Sequence, residues 1–147
     1  MKSIFDVLYV TSFTPDLYAR TGRQLVQSFL RSDSDGKLLV CHEGRFEENL
    51  PCAPQKVMSY DLDKSDFLTA WLAANEDIIP VSLGGTAPAC QCEEPDNPWG
   101  RHRTHCVSQW FNKNASRWFR KIVALDVAAG LAKEGAIVWV DDLAEPP

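Results

Sequence analysis

Apolar positions along the chain form four short β-branched or aromatic blocks and three longer stretches with helical spacing. Ile4 to Val10 is the first block and predicts a buried strand, closed by the turn-like run Thr11-Ser12-Phe13-Thr14-Pro15. A helix is expected from Pro15-Asp16 to about Arg31, with Leu17, Leu25, Val26, Phe29 and Leu30 on its apolar positions. Gly22 interrupts that helix at a cost of about 1 kcal/mol relative to Ala. Leu38 to Cys41 predicts a second strand that stops at His42-Glu43-Gly44, and Lys56 to Tyr60 a weaker third. Phe67, Leu68, Trp71 and Leu72 share one face of a helix expected over Ser65 to Asn75. The last helix is expected from Ala115 to Lys133, and Ala136 to Val140 is a final strand running into Asp141-Asp142.

Alternation of this kind predicts an α/β domain: a Rossmann-like, mostly parallel sheet flanked by helices. The 147 residues suit one domain, and the one conspicuous interruption is the Gly-, Pro- and Cys-rich stretch from Pro80 to about Gln109. No apolar run is long enough for a membrane-spanning helix. The start, Met1-Lys2-Ser3-Ile4-Phe5-Asp6, meets a charge too early to build a secretory signal, so a cytoplasmic protein is expected. The net charge of −5 argues against a nucleic-acid partner, which is usually met with a basic surplus.

Ligands of parallel sheets sit beyond the carboxyl ends of the strands. Thr11-Ser12, His42-Glu43, Asp61 and Asp141-Asp142 all stand at such ends, so one edge gathers polar and acidic groups. Asp141 and Asp142 are suited to a hard divalent cation that also bridges substrate phosphates, or they form an ordinary acidic turn. On the last helix, Asn114, Arg117 and Lys121 fall in one stripe that continues through Ala124 and Ala128. Trp118, Ile122, Leu125 and Ala129 make the neighbouring stripe, expected in the core. Arg117 and Lys121 are able to grip phosphate, or they form a solvated basic face. With the acidic strand tip, the basic stripe suggests a nucleotide diphosphate site. Gly84-Gly85-Thr86 lacks the Lys-Ser/Thr of a P-loop.

The five cysteines are an odd set for a disulfide framework. Cys90, Cys92, His102, His105 and Cys106 crowd into one loop and could supply a structural zinc site. The alternative reading of the chain follows from that loop: a non-catalytic, zinc-stabilised α/β interaction module.

The strand end Tyr9-Val10-Thr11-Ser12-Phe13, the helix carrying Tyr18, Leu25 and Ser28-Phe29, and the basic run Asn112 to Lys121 leading into Val138-Trp139-Val140-Asp141-Asp142 resemble the GT-A-fold nucleotide-diphospho-sugar transferases. The resemblance implies a glycosyltransferase-like domain that binds a nucleotide sugar with Mn²⁺ or Mg²⁺. It implies Asp141 and Asp142 as metal ligands and Lys121 and Arg117 on the phosphates. Thr11 and Ser12 would then meet the base or ribose through backbone and hydroxyl groups, with Asp61 a further cofactor-binding residue. The family's metal motif is Asp-x-Asp, whereas here Leu143 stands in the third position. The chain resembles the donor-binding half of that fold, and the acceptor site and catalytic base of the family belong to the half that would follow.

Overall fold

The computed structural model describes residues 7–44, 55–76, 107–132 and 134–141. Four strands, β1 (Val7–Phe13), β2 (Lys37–His42), β3 (Val57–Asp61) and β4 (Ala136–Trp139), form one sheet in the order β3-β2-β1-β4. Every pairing is parallel. The fold is therefore α/β and Rossmann-like, as the alternation of elements predicts. Among the described residues the α-helices are α1 (Pro15–Leu17), α2 (Arg23–Arg31), α3 (Asp66–Ala74) and α4 (Val107–Leu131).

The chain divides into two compact units. One comprises residues 1–65 and 121–147, including the whole sheet; the other is Asp66–Arg120. In the second unit, α3 and the first part of α4 share an aromatic cluster. Trp71 stacks on Phe119 at 4.3 Å, and Phe67 meets the same ring edge-on at 5.1 Å. Phe67 and Trp71 are four residues apart, so one helix face presents both rings.

In the sheet unit, the core on one face consists of Phe13, Tyr18, Val26, Leu38, Val40 and Val57, with Tyr9, Leu17, Leu25, Phe29 and Leu30 packed against it. Strand alternation puts Leu8, Val10, Leu39 and Cys41, all buried, on the opposite face. β1 runs three residues past the end of its apolar block, to Phe13. Thr11 and Phe13, expected in a turn, pair with Val40 and His42 of β2 and are buried.

The chain then turns into a composite helix. Thr14 caps it by accepting from Leu17 N at 3.2 Å, and Pro15 follows in the first turn, where its missing N–H costs nothing. Tyr18–Gly22 form a π-helical turn between α1 and α2. An extra residue in that turn resets the helix phase, so Tyr18, Gly22 and Val26 are all buried. Gly22 allows this packing, because a Cβ there would lie 2.9 Å from the rings of both Phe13 and Tyr18.

On α4 the inward residues of the sheet unit are Val123, Ala124 and Ala128. Ile122 is 52% exposed, and on the other unit's part of the helix Trp118 is 48% exposed. The expected core stripe of Trp118, Ile122, Leu125 and Ala129 is thus misplaced. The small residues that continue the Lys121 stripe are the buried ones, because alanine permits close approach of the helix backbone. Among the described residues, no helix is long and apolar enough to cross a membrane.

Candidate functional site

All four strands end on one edge, and pairing aligns three of the ends: Phe13 with His42, and His42 with Asp61. The sheet order reverses between β1 and β4, since β2 and β3 lie to one side of β1 and β4 to the other. Ligands of open parallel sheets bind at such a switch point. β4 pairs with β1 only as far as Val10 and Trp139, and Val140 N adds a bond to the Val10 carbonyl at 2.8 Å. Beyond it, β1 continues to Phe13 while pairing with β2 alone. Backbone groups of a parallel strand turn alternately to its two neighbours. The Phe13 carbonyl accepts from Glu43 N at 3.2 Å on the β2 side, so Ser12 turns its N–H and carbonyl to the β4 side.

At the β4 tip three side chains meet. Lys121 Nζ lies 3.1 Å from Asp141 Oδ1 and 3.3 Å from Oδ2. The same ammonium sits 4.5 Å above the centre of the Trp139 ring, in cation–π range. The indole Nε1 of Trp139 donates to Asp141 Oδ1 at 2.5 Å. Lys121 and Asp141 side chains are 40% and 68% exposed, so the group is open to solvent. Trp139 is the member that sequence reasoning did not count among the site residues. Its signal was available: residues two apart on a strand share a face, which sets Trp139 beside Asp141.

The other expected site residues fare differently. Thr11 is 1% exposed, on the core face with Tyr9 and Phe13, which keeps its hydroxyl from a ligand. Ser12 is half-buried on the opposite alternation. Asp61 caps a 3₁₀ turn, Leu62–Lys64, by accepting from Asp63 N at 3.1 Å, with Lys64 Nζ 4.0 Å from its other oxygen. Asp63 in turn accepts from Gly44 N at 2.8 Å. Gly44 has φ of +69°, a left-handed conformation that favours glycine. These carboxylates tie the β2 and β3 ends together. Arg117 is exposed on α4 within the other unit. Asp142 and the loop residues Cys90, Cys92, His102, His105 and Cys106 lie outside the described residues.

The first strand-to-helix turn is not a phosphate cradle. Pro15 lacks an N–H, Thr14 already occupies Leu17 N, and Asp16 puts a negative charge in the first turn, paired with Arg20 at 2.7 Å.

The thiol of Cys41 stands inside β2, and burial pushes its pKa up to about 12. A thiol so far from its thiolate is an apolar core group and not a nucleophile. Among the described residues, no three His, Cys, Asp or Glu side chains come together to hold a metal ion. The chain matches no protein-family model, no curated protein and no solved structure. Its class is that of an α/β domain with a four-stranded parallel sheet, known by its geometry alone.

Proposed function

We propose that the domain binds a nucleotide diphospho-sugar at the carboxyl edge of its sheet, in the service of glycosyl transfer. The observation that carries this reading is the Lys121–Trp139–Asp141 group beside the β1/β4 switch point. An exposed ammonium next to strand-end backbone groups can receive a diphosphate, with Ser12 contributing its N–H and hydroxyl to the base or ribose.

Asp141 supplies oxygen donors of the class a hard cation takes. Mg²⁺ is commonly held by one or two carboxylates together with substrate phosphates, and Asp141 is one carboxylate of that kind. Asp141, with Asp142 as its neighbour in sequence, would hold Mn²⁺ or Mg²⁺ in that way. The cation's contribution would be to neutralise charge developing on the leaving diphosphate. Lys121 would do the same from the protein side, as a positive charge next to the diphosphate.

Thermal unfolding in the presence of UDP, GDP and their sugars, with and without Mn²⁺, tests the proposal. A true donor raises stability by about 2.7 kcal/mol at a hundredfold excess over its dissociation constant. A melting temperature unmoved by the whole panel would refute it.

A further inference from the structure

Among the described residues, two groups hold the Lys121 ammonium. One is the Asp141 carboxylate, at 3.1 and 3.3 Å, and the other is the ring of Trp139, with its centre 4.5 Å away. Lysine carries its charge at the end of a flexible four-carbon stem, and an exposed ion pair alone holds such a stem weakly. The ring supplies a second, independent hold on the same ammonium.

Trp139 also grips the other member of the pair. Its indole N–H donates to Asp141 Oδ1, the oxygen nearer to the ammonium, so one side chain touches both charges. The indole is itself well fixed. Trp139 stands in β4, in register with Val10 of β1, and its rigid side chain has only two torsions to lose. Asp141 has a further partner as well, and nothing in this arrangement requires the carboxylate to leave.

Resting on the nucleotide-binding reading above, we propose that Trp139 is a positioning residue for Lys121: its ring holds the ammonium at the strand tip before a ligand arrives. A diphosphate then meets a charge already in place. An ammonium has three N–H donors, and those that Asp141 does not engage are offered to a phosphate oxygen. The gain is preorganisation, because the rotamer freedom of the lysine is lost on folding and not on binding. Trp139 acts through Lys121 and does not itself touch the ligand.

Calorimetric titrations of the full chain with UDP and GDP, in EDTA and in Mg²⁺, test the role. Trp139→Leu is expected to weaken nucleotide binding about threefold, the loss of one exposed cation–π contact. Trp139→Phe keeps an aromatic face and is expected to recover most of that loss. In a Lys121→Met background, Trp139→Leu is expected to cost nothing further, because the ring acts only through the ammonium. Without any nucleotide, magnetic resonance of the wild type should find the Lys121 ε-methylene protons shifted upfield by the ring current. That last measurement keeps the test decisive if Trp139→Leu folds poorly. Nucleotide affinity equal in wild type and Trp139→Leu overturns the role, as do ε-methylene protons at their ordinary position. A loss of the same size in the Lys121→Met background also overturns it, by making the ring a direct contact of the ligand. Each of these results leaves the nucleotide reading standing as long as UDP or GDP binds the wild type. If neither nucleotide binds in either condition, both proposals fall together.

Discussion

The ring of Phe13, at the end of β1, lies against the backbone of Gly22, so close that a Cβ added there would stand 2.9 Å from two ring carbons. The contact joins the last residue of the strand to the last residue of the π-helical turn, beside the edge where the sheet order reverses. In an ordinary helix, Gly→Ala stabilises by about 1 kcal/mol. Here the methyl meets two buried aromatic rings, and Gly22→Ala is expected to destabilise the protein by about 1–3 kcal/mol, as overpacking does. Urea midpoints measure the effect. Phe13→Leu should make room for the methyl, so the double variant is expected to lose less than the sum of the two single losses.

The orientation of α4 is tested by two substitutions within the sheet unit. Ala124 is fully buried, and Ala124→Leu is expected to cost about 1–3 kcal/mol. Ile122 is 52% exposed, and Ile122→Ser should stay within about 1 kcal/mol of wild type. Denaturant unfolding of both variants checks the order. A silent Ala124→Leu beside an unfolded Ile122→Ser would mean that the expected core stripe of large residues was right after all.

How much of this was legible in the sequence follows from these same residues. The four strands were visible because β-branched and aromatic blocks alternate with helical spacing, and the polar strand ends were visible because they follow those blocks directly. The rotation of α4 was not legible. Side-chain size points Trp118 and Ile122 inward, whereas burial selected the alanines that let backbones approach. The π-helical turn was equally hidden, since a fixed 100° per residue assumes a phase that Tyr18–Gly22 breaks. Lys121 and Asp141 were each read as binding groups, but their mutual bond spans twenty residues and depends on where the β4 tip meets the helix. The cap made by Asp61 was missed for a related reason: its partner, Asp63 N, is fixed only once the chain turns.

Cys41 provides a pH prediction. Its folded pKa is raised by burial to about 12, above the value of about 9 for a free thiol. The unfolded chain loses its thiol proton near pH 9 while the folded protein keeps it, so this contribution is whole below pH 9 and is lost as pH rises toward 12. Wild type should therefore lose stability more steeply than Cys41→Ala over that window, as followed by thermal unfolding. At neutral pH, Cys41 should resist a thiol reagent until the protein unfolds, which mass analysis of the modified peptide reads directly.

The Lys121–Asp141 pair should matter little to folding. Both side chains are substantially exposed, and such pairs contribute about 1 kcal/mol or less. A double-mutant cycle of Lys121→Met and Asp141→Asn is expected to give a coupling in that range, reduced further by salt. A coupling of several kcal/mol would recast the pair as a structural strut.

The most direct measurement is nuclear magnetic resonance mapping of the bound nucleotide. Amide and indole signals of the labelled protein are followed while UDP or GDP is added with Mg²⁺. Binding at the switch point is expected to move Ser12 to Thr14, Lys121, Val140, Asp141 and the Trp139 indole N–H, and to leave the buried β2 amides of Leu38 and Leu39 unmoved. Shifts confined to residues away from the β1 and β4 ends, or no shifts with either nucleotide, would contradict a nucleotide site at this edge.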